Sequence, residues 1–396
     1  MKIAINGCGV CGPTLAWWLK RCGHEPVLFE RASSHRSGGY IIDFWGAGYD
    51  VAEKMGVLPN IQNDAYMIGR VRTVTSGGYT TSSLSTKGFR DLTNGRYLSI
   101  ARSDLAKHLL NVCGDIETHF GTSIVGVDDQ QDRVDVRLSN GTEKQFDIVV
   151  GADGLHSKIR ELAFGSQEKL ENQVGLYVAA FVLDNYQPRE ELTYVSHTKP
   201  GRQIARVSLR KDRTLFLFTF SKKFLSRQPD GETDEKAMLR EVYYDMGWEA
   251  DAILSKIDDV SDFYFDHVSQ IRMPDWTKGR VALLGDASAC VSLLAGEGTS
   301  LAMVEAYVLA AELQVANGDH RVAFKAYENL LHSYVTEKQN GALGFAGFFA
   351  PKNWFWLAIR DVALNLSSVP YLGKQLIALN LNSNLDLPEY SIISSR

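Results

Sequence analysis

The stretch Lys2-Ile3-Ala4-Ile5-Asn6-Gly7-Cys8-Gly9-Val10-Cys11-Gly12-Pro13 decides the fold. Ile3 to Asn6 reads as a short buried strand. Gly7, Gly9 and Gly12 then spell G-x-G-x-x-G, and a helix follows from Pro13 through Leu15, Trp18 and Leu19 to about Cys22. Pro13 suits the first helical turn, where its missing N–H loses no partner. Gly23 ends the helix. A second strand runs from Pro26 to Phe29 and stops at Glu30, 18 residues beyond Gly12. This is a βαβ unit in about 30 residues, the seed of a parallel sheet. In that setting the glycines permit a tight turn, close approach of a pyrophosphate and close helix–strand packing. The helix N-terminus faces the phosphates, and Glu30 can accept hydrogen bonds from ribose hydroxyls. The expected ligand of this end of the chain is a dinucleotide.

Working outward, Ser103-Asp104 opens a helix through Leu105, His108, Leu109 and Val112. Val134, Val136 and Leu138 alternate, turn at Asn140-Gly141 and return towards Phe146, which predicts a hairpin or meander. Asp147 to Val150 is an apolar strand that ends in the loop Gly151-Ala152-Asp153-Gly154. From about Gly175 to Met273 the texture changes. The alternation in Gln203 to Arg210 and the run Leu215-Phe216-Leu217-Phe218-Thr219-Phe220 predict a mostly antiparallel sheet. Buried parallel-strand texture returns at Val281-Ala282-Leu283-Leu284-Gly285-Asp286, and a helix follows from about Thr299. The expected fold class is therefore α/β (α+β), with a discontinuous Rossmann-like first domain. Its pieces are residues 1–70, 98–174 and 275–330. A β-rich domain, residues 71–97 and 175–274, is inserted, and residues 331–396 form C-terminal helices.

Composition narrows the class. Lys+Arg is 42 and Asp+Glu 47, a net charge of 42 − 47 = −5, so there is no general electrostatic reason to bind nucleic acid or an acidic membrane. With 45% hydrophobic and 22% charged residues, the chain is globular and can bury a large core. Met1-Lys2 runs straight into the first strand without signal-peptide texture, and no apolar stretch reaches about 18 residues, so no membrane span is expected. The five cysteines, Cys8, Cys11, Cys22, Cys113 and Cys290, have no framework spacing and predict reduced thiols in a cytoplasmic protein. Cys8 and Cys11 make a C-x-x-C, but it lies inside the phosphate turn with no further ligand cluster. They read as small packing residues, and no metal site is expected.

Two further stretches decide which dinucleotide. Val149 to Arg160 reads V-V-G-A-D-G-L-H-S-K-I-R, and Arg280 to Gly298 reads R-V-A-L-L-G-D-A-S-A-C-V-S-L-L-A-G-E-G. With the N-terminal fingerprint, these resemble the three sequence marks of class A flavoprotein monooxygenases, the para-hydroxybenzoate hydroxylase type. Their spacing covers nearly the whole chain. Within that family the texture is similar to the tetracycline-inactivating monooxygenases, through Gly38-Gly39-x-x-x-Asp43, Arg102-Ser103-Asp104-Leu105 and the helical C-terminal tail.

The resemblance implies FAD as cofactor and makes the discontinuous domain an FAD-binding domain. Gly7, Gly9, Gly12 and Glu30 would hold the ADP half, with Arg31 beside the adenosine. Arg102 would reach the phosphates or ribityl chain, and Asp153 would brace the strand–loop junction near FAD and the nicotinamide route. Asp286, after Gly285, would hydrogen-bond the ribityl chain. Gly296 and Gly298 would let backbone amides approach the isoalloxazine, with the next helix pointing its positive end at it. Asp43 is the candidate substrate- or flavin-proximal carboxylate; Arg36 reads as an exposed arginine. The implied activity is an NAD(P)H- and O₂-dependent hydroxylation of an aromatic or polycyclic small molecule through a flavin C4a-hydroperoxide, with tetracycline inactivation as a specific case. NADPH or NADH would be a transient co-substrate, the cofactor carries the chemistry, and the expected state is a monomer. A flavin-dependent halogenase or other FAD oxidoreductase, or a non-catalytic FAD-fold carrier, remains the alternative.

Several positions depart from the family pattern. Ala289 stands where His or Tyr is usual, Leu293 where Pro is usual, Glu297 for Gln and Ser300 for Asn. Trp354-Phe355-Trp356-Leu357-Ala358-Ile359 is similar to the W-x-W-x-I-P of halogenases, but Arg360 replaces the proline and the stretch lies near the C-terminus. Phe355, Ala358, Ile359, Val362 and Leu366 repeat at helical spacing, with Arg360 and Asp361 elsewhere on the helix. This predicts an amphipathic helix packed through its apolar stripe between domains.

Overall fold

A computed structural model describes residues 1–35, 40–292, 296–367 and 385–390. Gly38-Gly39, Arg36, Leu293 and much of the expected C-terminal tail lie outside the described residues.

The first strand, Lys2–Asn6, is central in a six-stranded sheet. It pairs in parallel with Glu25–Glu30 on one side and Ile148–Gly151 on the other. Beyond these come Thr118–Phe120 at one edge, and Val281–Leu283 with the short Thr277–Lys278 at the other. Ile3, Ala4 and Ile5 have no exposed surface. A parallel strand covered on both faces has no solvent side, which is why it is an apolar run and not an alternation. Because the chain leaves this strand first to one side and later to the other, the carboxyl end of Lys2–Asn6 is the topological switch point. Open α/β sheets bind ligands at such points.

The helix Cys11–Arg21 follows the glycine turn, and Gly298–Val315 packs against it with twelve of its residues buried. From Leu301 to Ala311 this second helix is buried on every side, because Cys11–Arg21 and His320–Phe349 pack against it. Each fully buried Leu or Val there stabilises the fold by roughly 1.5–3 kcal/mol before entropy is counted. A three-stranded antiparallel meander, Ile124–Asp129, Val134–Leu138 and Glu143–Phe146, contains the hairpin read at Asn140-Gly141.

A seven-stranded sheet runs in the order Tyr264–Ile271, Glu171–Asp184, Arg213–Ser221, Arg202–Ser208, Thr193–Lys199, Arg70–Val74, Thr80–Ser85. It is antiparallel except where Thr193–Lys199 meets Arg70–Val74 in parallel. One face buries Phe181, Phe216, Phe218 and Phe220 beneath the helix Glu232–Tyr243. The Tyr243 hydroxyl donates to the carbonyls of Gln203 (3.1 Å) and Thr219 (2.9 Å), which locks that helix to the sheet. A two-stranded ribbon, Ile41–Trp45 with Tyr97–Ala101, lies between the two large sheets in sequence and in contacts.

Two expectations need correction. The division at residue 330/331 falls inside one continuous helix, His320–Phe349. More tellingly, the helix Trp354–Ser367 does not pack through its apolar stripe. Phe355, Ile359, Val362 and Leu366 are exposed, whereas Arg360 is 7% exposed. The reason is polar. The Arg360 guanidinium donates to Thr198 Oγ1 (3.0 Å) and the Phe348 carbonyl (3.2 Å) and pairs with Asp361 (2.9 Å). A hydrogen-bonded arginine, together with Leu357 and Leu364, sets which side faces the protein.

Candidate active site

The glycine turn is built by close packing. Gly7 has φ +113°, and a Cβ there would stand 2.4 Å from the Ala152 carbonyl oxygen. A Cβ on Gly12 would lie 1.9 Å from the Gly7 carbonyl oxygen. Gly9 is different: its missing Cβ points into open space, where the nearest atom is Arg102 Nη2 at 3.9 Å. Two glycines thus serve the turn, and the third leaves room for a ligand. Glu30 accepts from the Cys8 amide through Oε2 and from the Ala32 amide through Oε1, each at 2.9 Å. It therefore braces the turn, with a lone pair on each oxygen still open. Cys8 and Cys11 are buried free thiols in this turn, and burial holds both thiols protonated.

Arg102 begins the helix Arg102–Val112, and its guanidinium makes no hydrogen bond among the described residues. Tyr40 lies beside it, its phenol pushed up to about 12 by burial, and meets the Tyr264 ring at a tilt (centroids 5.7 Å apart). Asp153 is committed to structure. It accepts from Asn6 Nδ2 (2.9 Å), Ser157 Oγ (2.5 Å) and the amides of Lys158 (2.8 Å) and Ile159 (3.3 Å). It thereby ties the first strand to the helix Lys158–Phe164. Arg160, fully buried, holds the same loop through the carbonyls of Leu155 (2.5 Å) and Ala287 (2.9 Å).

Gly285 (φ +62°) turns the chain from Val281–Leu283 into Asp286. Its amide donates to Glu305 Oε2 at 2.5 Å, and Ser288 Oγ and Tyr327 OH donate to the same oxygen. Glu305 has no exposed surface, its Oε1 has no partner, and burial raises its pKa to about 8. It therefore carries a proton at neutral pH. Gly298 comes so close to Asp286 that a Cβ would be 3.4 Å from Asp286 Oδ1.

One cleft of about 430 Å³ lies at the switch point, a volume typical of small-molecule sites. Gly7, Gly9, Glu30, Arg31 and Arg102 line one end. Asp153, Asp286, Gly296 and Gly298 line the same cleft further along. Gly12 and Gly285 stand behind its wall, and Asp43 is not part of it. The seven-stranded sheet contributes Tyr264, Asp266 and His267, none of which belongs to a motif; only the sheet's register brings them here. Asp266 accepts from His156 (3.0 Å) and faces His267 (3.2 Å), which also meets Glu171 (2.6 Å). The hydrogen bond to Asp266 holds the His156 imidazole above its ordinary pKa.

Asp43 lies on the ribbon. Its Oδ1 accepts from Ser99 Oγ (2.6 Å) and Tyr97 OH (2.8 Å). Burial raises its pKa, and the two hydrogen bonds oppose that rise. Among the family departures, Ser300 Oγ accepts from the Gly48 amide (2.8 Å) and donates to the Trp45 carbonyl (3.1 Å). Glu297 pairs with Lys338 at 2.9 Å. Both join the start of helix Gly298–Val315 to neighbouring elements, and Ala289 is buried.

The donor set fits an FAD: an open cradle at Gly9, a guanidinium opposite it that makes no hydrogen bond among the described residues, and a carboxylate at the second strand's end. The fold and cleft thus define a flavoprotein of the dinucleotide-binding type. Residues 1–343 match the family described as FAD binding domain. A flavin-dependent monooxygenase of Legionella longbeachae is 35% identical over 398 residues, covering 98% of both chains. The crystal structures of the tetracycline destructases Tet(51) and Tet(55) superpose with TM-scores of 0.84 and 0.83. Their identities are 30% and 31%; each alignment covers 98% of this chain and at least 98% of the other. The chain belongs to the class A flavoprotein monooxygenases and is an FAD-dependent monooxygenase. Among the described residues no helix is long and apolar enough to cross a membrane.

Proposed function

We propose that this enzyme uses NAD(P)H and O₂ to hydroxylate an aromatic or polycyclic compound, and that tetracyclines belong to its substrate range. The observation that carries the reading is the likeness to two tetracycline destructases along essentially the whole of both chains, not only the FAD-binding part. Bound FAD would supply the redox chemistry of hydride acceptance and oxygen activation.

The chain's own residues bind, orient and exclude water. Arg102 and the amides around Gly9 would hold the pyrophosphate, and Glu30 and Arg31 the adenosine end. Asp286 would meet the ribityl chain. The N-terminus of Gly298–Val315 would face developing negative charge on the ring system, where its positive dipole end is stabilising. The inserted β-rich segment, residues 71–97 and 175–274, would be the substrate domain, and its sheet would close the cleft against bulk water.

The test is direct. The purified protein should be yellow, and tetracycline should stimulate its NAD(P)H oxidation and gain one oxygen atom by mass spectrometry. A protein that cannot be loaded with FAD refutes the whole reading. A yellow protein that leaves tetracycline unchanged refutes only that substrate.

A further inference from the structure

Glu297 stands between Gly296 and Gly298, both of which line the cleft. Consecutive Cα atoms are about 3.8 Å apart and a glutamate side chain adds about 5 Å, so its carboxylate lies within about 10 Å of the cleft wall. The Glu297 carbonyl accepts the Leu301 amide (3.0 Å), which makes this residue the cap of helix Gly298–Val315. That helix end carries partial positive charge from its unpaired amides. A bare carboxylate at the cap would cancel the polarity that the cleft is offered.

Lys338, on helix His320–Phe349, supplies the opposite charge. Its ammonium reaches both carboxylate oxygens, Oε1 at 3.0 Å and Oε2 at 2.9 Å, and lies over the Tyr334 ring at 5.4 Å. The two side chains are 9% and 23% exposed, and the cavity beside them, about 20 Å³, has room for one water. Salt therefore screens these charges little. The next residue, Gln339, donates to the carbonyls of Ile271 (2.7 Å) and Cys290 (3.2 Å). Gln270 donates to the carbonyls of Val291 (2.8 Å) and Gln339 (2.6 Å). Two adjacent residues of one helix thus hold the chain at Cys290-Val291 and again at Glu297, on either side of the cleft's glycine end.

We propose that the Glu297–Lys338 pair sets the reduction potential of the bound flavin. Lys338 is a positioning residue: it fixes Glu297 and cancels its charge, which leaves the positive end of Gly298–Val315 to the ring system. Two electrons and one proton pass from NAD(P)H to the ring system, NAD(P)⁺ leaves, and the ring gains one negative charge. That charge is what the helix end stabilises. The proposal rests on the reading that this helix end faces the flavin ring.

The test is the midpoint potential of FAD in purified holoenzyme, measured by reductive titration against a reference dye. The pH is about 6.5, where an ammonium keeps its proton. Lys338→Met leaves Glu297 unpaired and should lower the potential. Glu297→Gln leaves Lys338 unpaired and should raise it. Each should change the ratio of reduced to oxidised flavin at fixed potential roughly three- to tenfold, the effect of one unit charge about 10 Å away. The double variant should return close to wild type, and Lys338→Arg should match wild type.

Shifts of the same sign in the two single variants overturn the proposal, because lost geometry has no sign of charge. A double variant that does not return overturns it too. If Lys338→Met does not retain FAD, the near-isosteric Glu297→Gln decides alone: an unchanged or lowered potential overturns the proposal. Asp286→Asn separates the underlying reading, because it removes a charge that lines the cleft. If it raises the potential while the pair's variants do not, only the role of the pair fails. If no variant shifts the potential, the ring does not lie at this end of the cleft, and both fail.

Discussion

Replacing Glu305 by glutamine should stabilise this protein at neutral pH and flatten its stability against pH. In the fold Glu305 ionises near pH 8, against 4.5 for an ordinary glutamate, because burial disfavours the carboxylate more than its three donors favour it. Unfolding therefore releases a proton throughout the window from 4.5 to 8. The contribution of the neutral acid is fully present below pH 4.5 and is lost as pH rises through that window. At about 1.36 kcal/mol per pH unit, keeping the proton at pH 7 costs the folded state about 3 kcal/mol relative to pH 4. The side chain has no exposed surface, so solvent screening does not reduce this figure. Glutamine matches the protonated acid in shape. Its carbonyl can accept from Gly285, Ser288 and Tyr327, and its amide takes the place of Oε1, which has no partner. Urea unfolding of holoenzyme at pH 5, 6, 7 and 8 measures both proteins. The variant's advantage should grow by about 2.5 kcal/mol between pH 5 and pH 7, a little under two full units of titration. Parallel curves for the two proteins would refute the reasoning, and would mean that Glu305 is ionised in the fold.

Three further outcomes follow from the same geometry. Gly12→Ala places a Cβ 1.9 Å from a backbone carbonyl, which no side-chain rotation relieves; it should abolish flavin absorbance and lower the thermal midpoint. Arg102→Ala should weaken FAD binding roughly 10- to 100-fold by titration of apoprotein, the loss of a charge-assisted contact to phosphate; unchanged affinity would take Arg102 out of the site. Arg360→Met should cost about 2 kcal/mol in denaturant unfolding through the lost bonds to Thr198 and the Phe348 carbonyl. A neutral result there would mean that the exposed stripe of the last described helix does not depend on its polar anchor.

The elements that carry the cofactor motifs were legible because their determinants are local. The strand Lys2–Asn6, its glycine turn and the helix Cys11–Arg21 are specified by burial on both faces, by φ values and contacts that only glycine tolerates, and by a strand-to-strand return through one helix. The same holds for the Asp153 loop and for Gly285-Asp286. The opposite wall was not legible. Tyr264, Asp266 and His267 sit on a strand whose alternation resembles that of any sheet, and they reach the cleft only through the pairing of Tyr264–Ile271 with Glu171–Asp184. Asp153 shows an intermediate case, in which the motif located the residue and the contacts revealed how much of it is structural bracing.

The helix Trp354–Ser367 gives the sharper lesson. Its periodicity correctly marked a helix with one apolar stripe, and the expected side of burial was wrong. Periodicity reports which residues share a face, but the face that packs depends on partners from elsewhere, here Thr198 and Phe348. By itself the sequence determined the dinucleotide-binding half, because close packing around glycines is encoded within short segments, and its resemblance to a known family implied the cofactor and the class of reaction. Only the tertiary structure decided the second wall of the cleft and the buried acid beneath Gly285. Each depends on atoms brought together from distant positions, whose desolvation and hydrogen bonding no local pattern records.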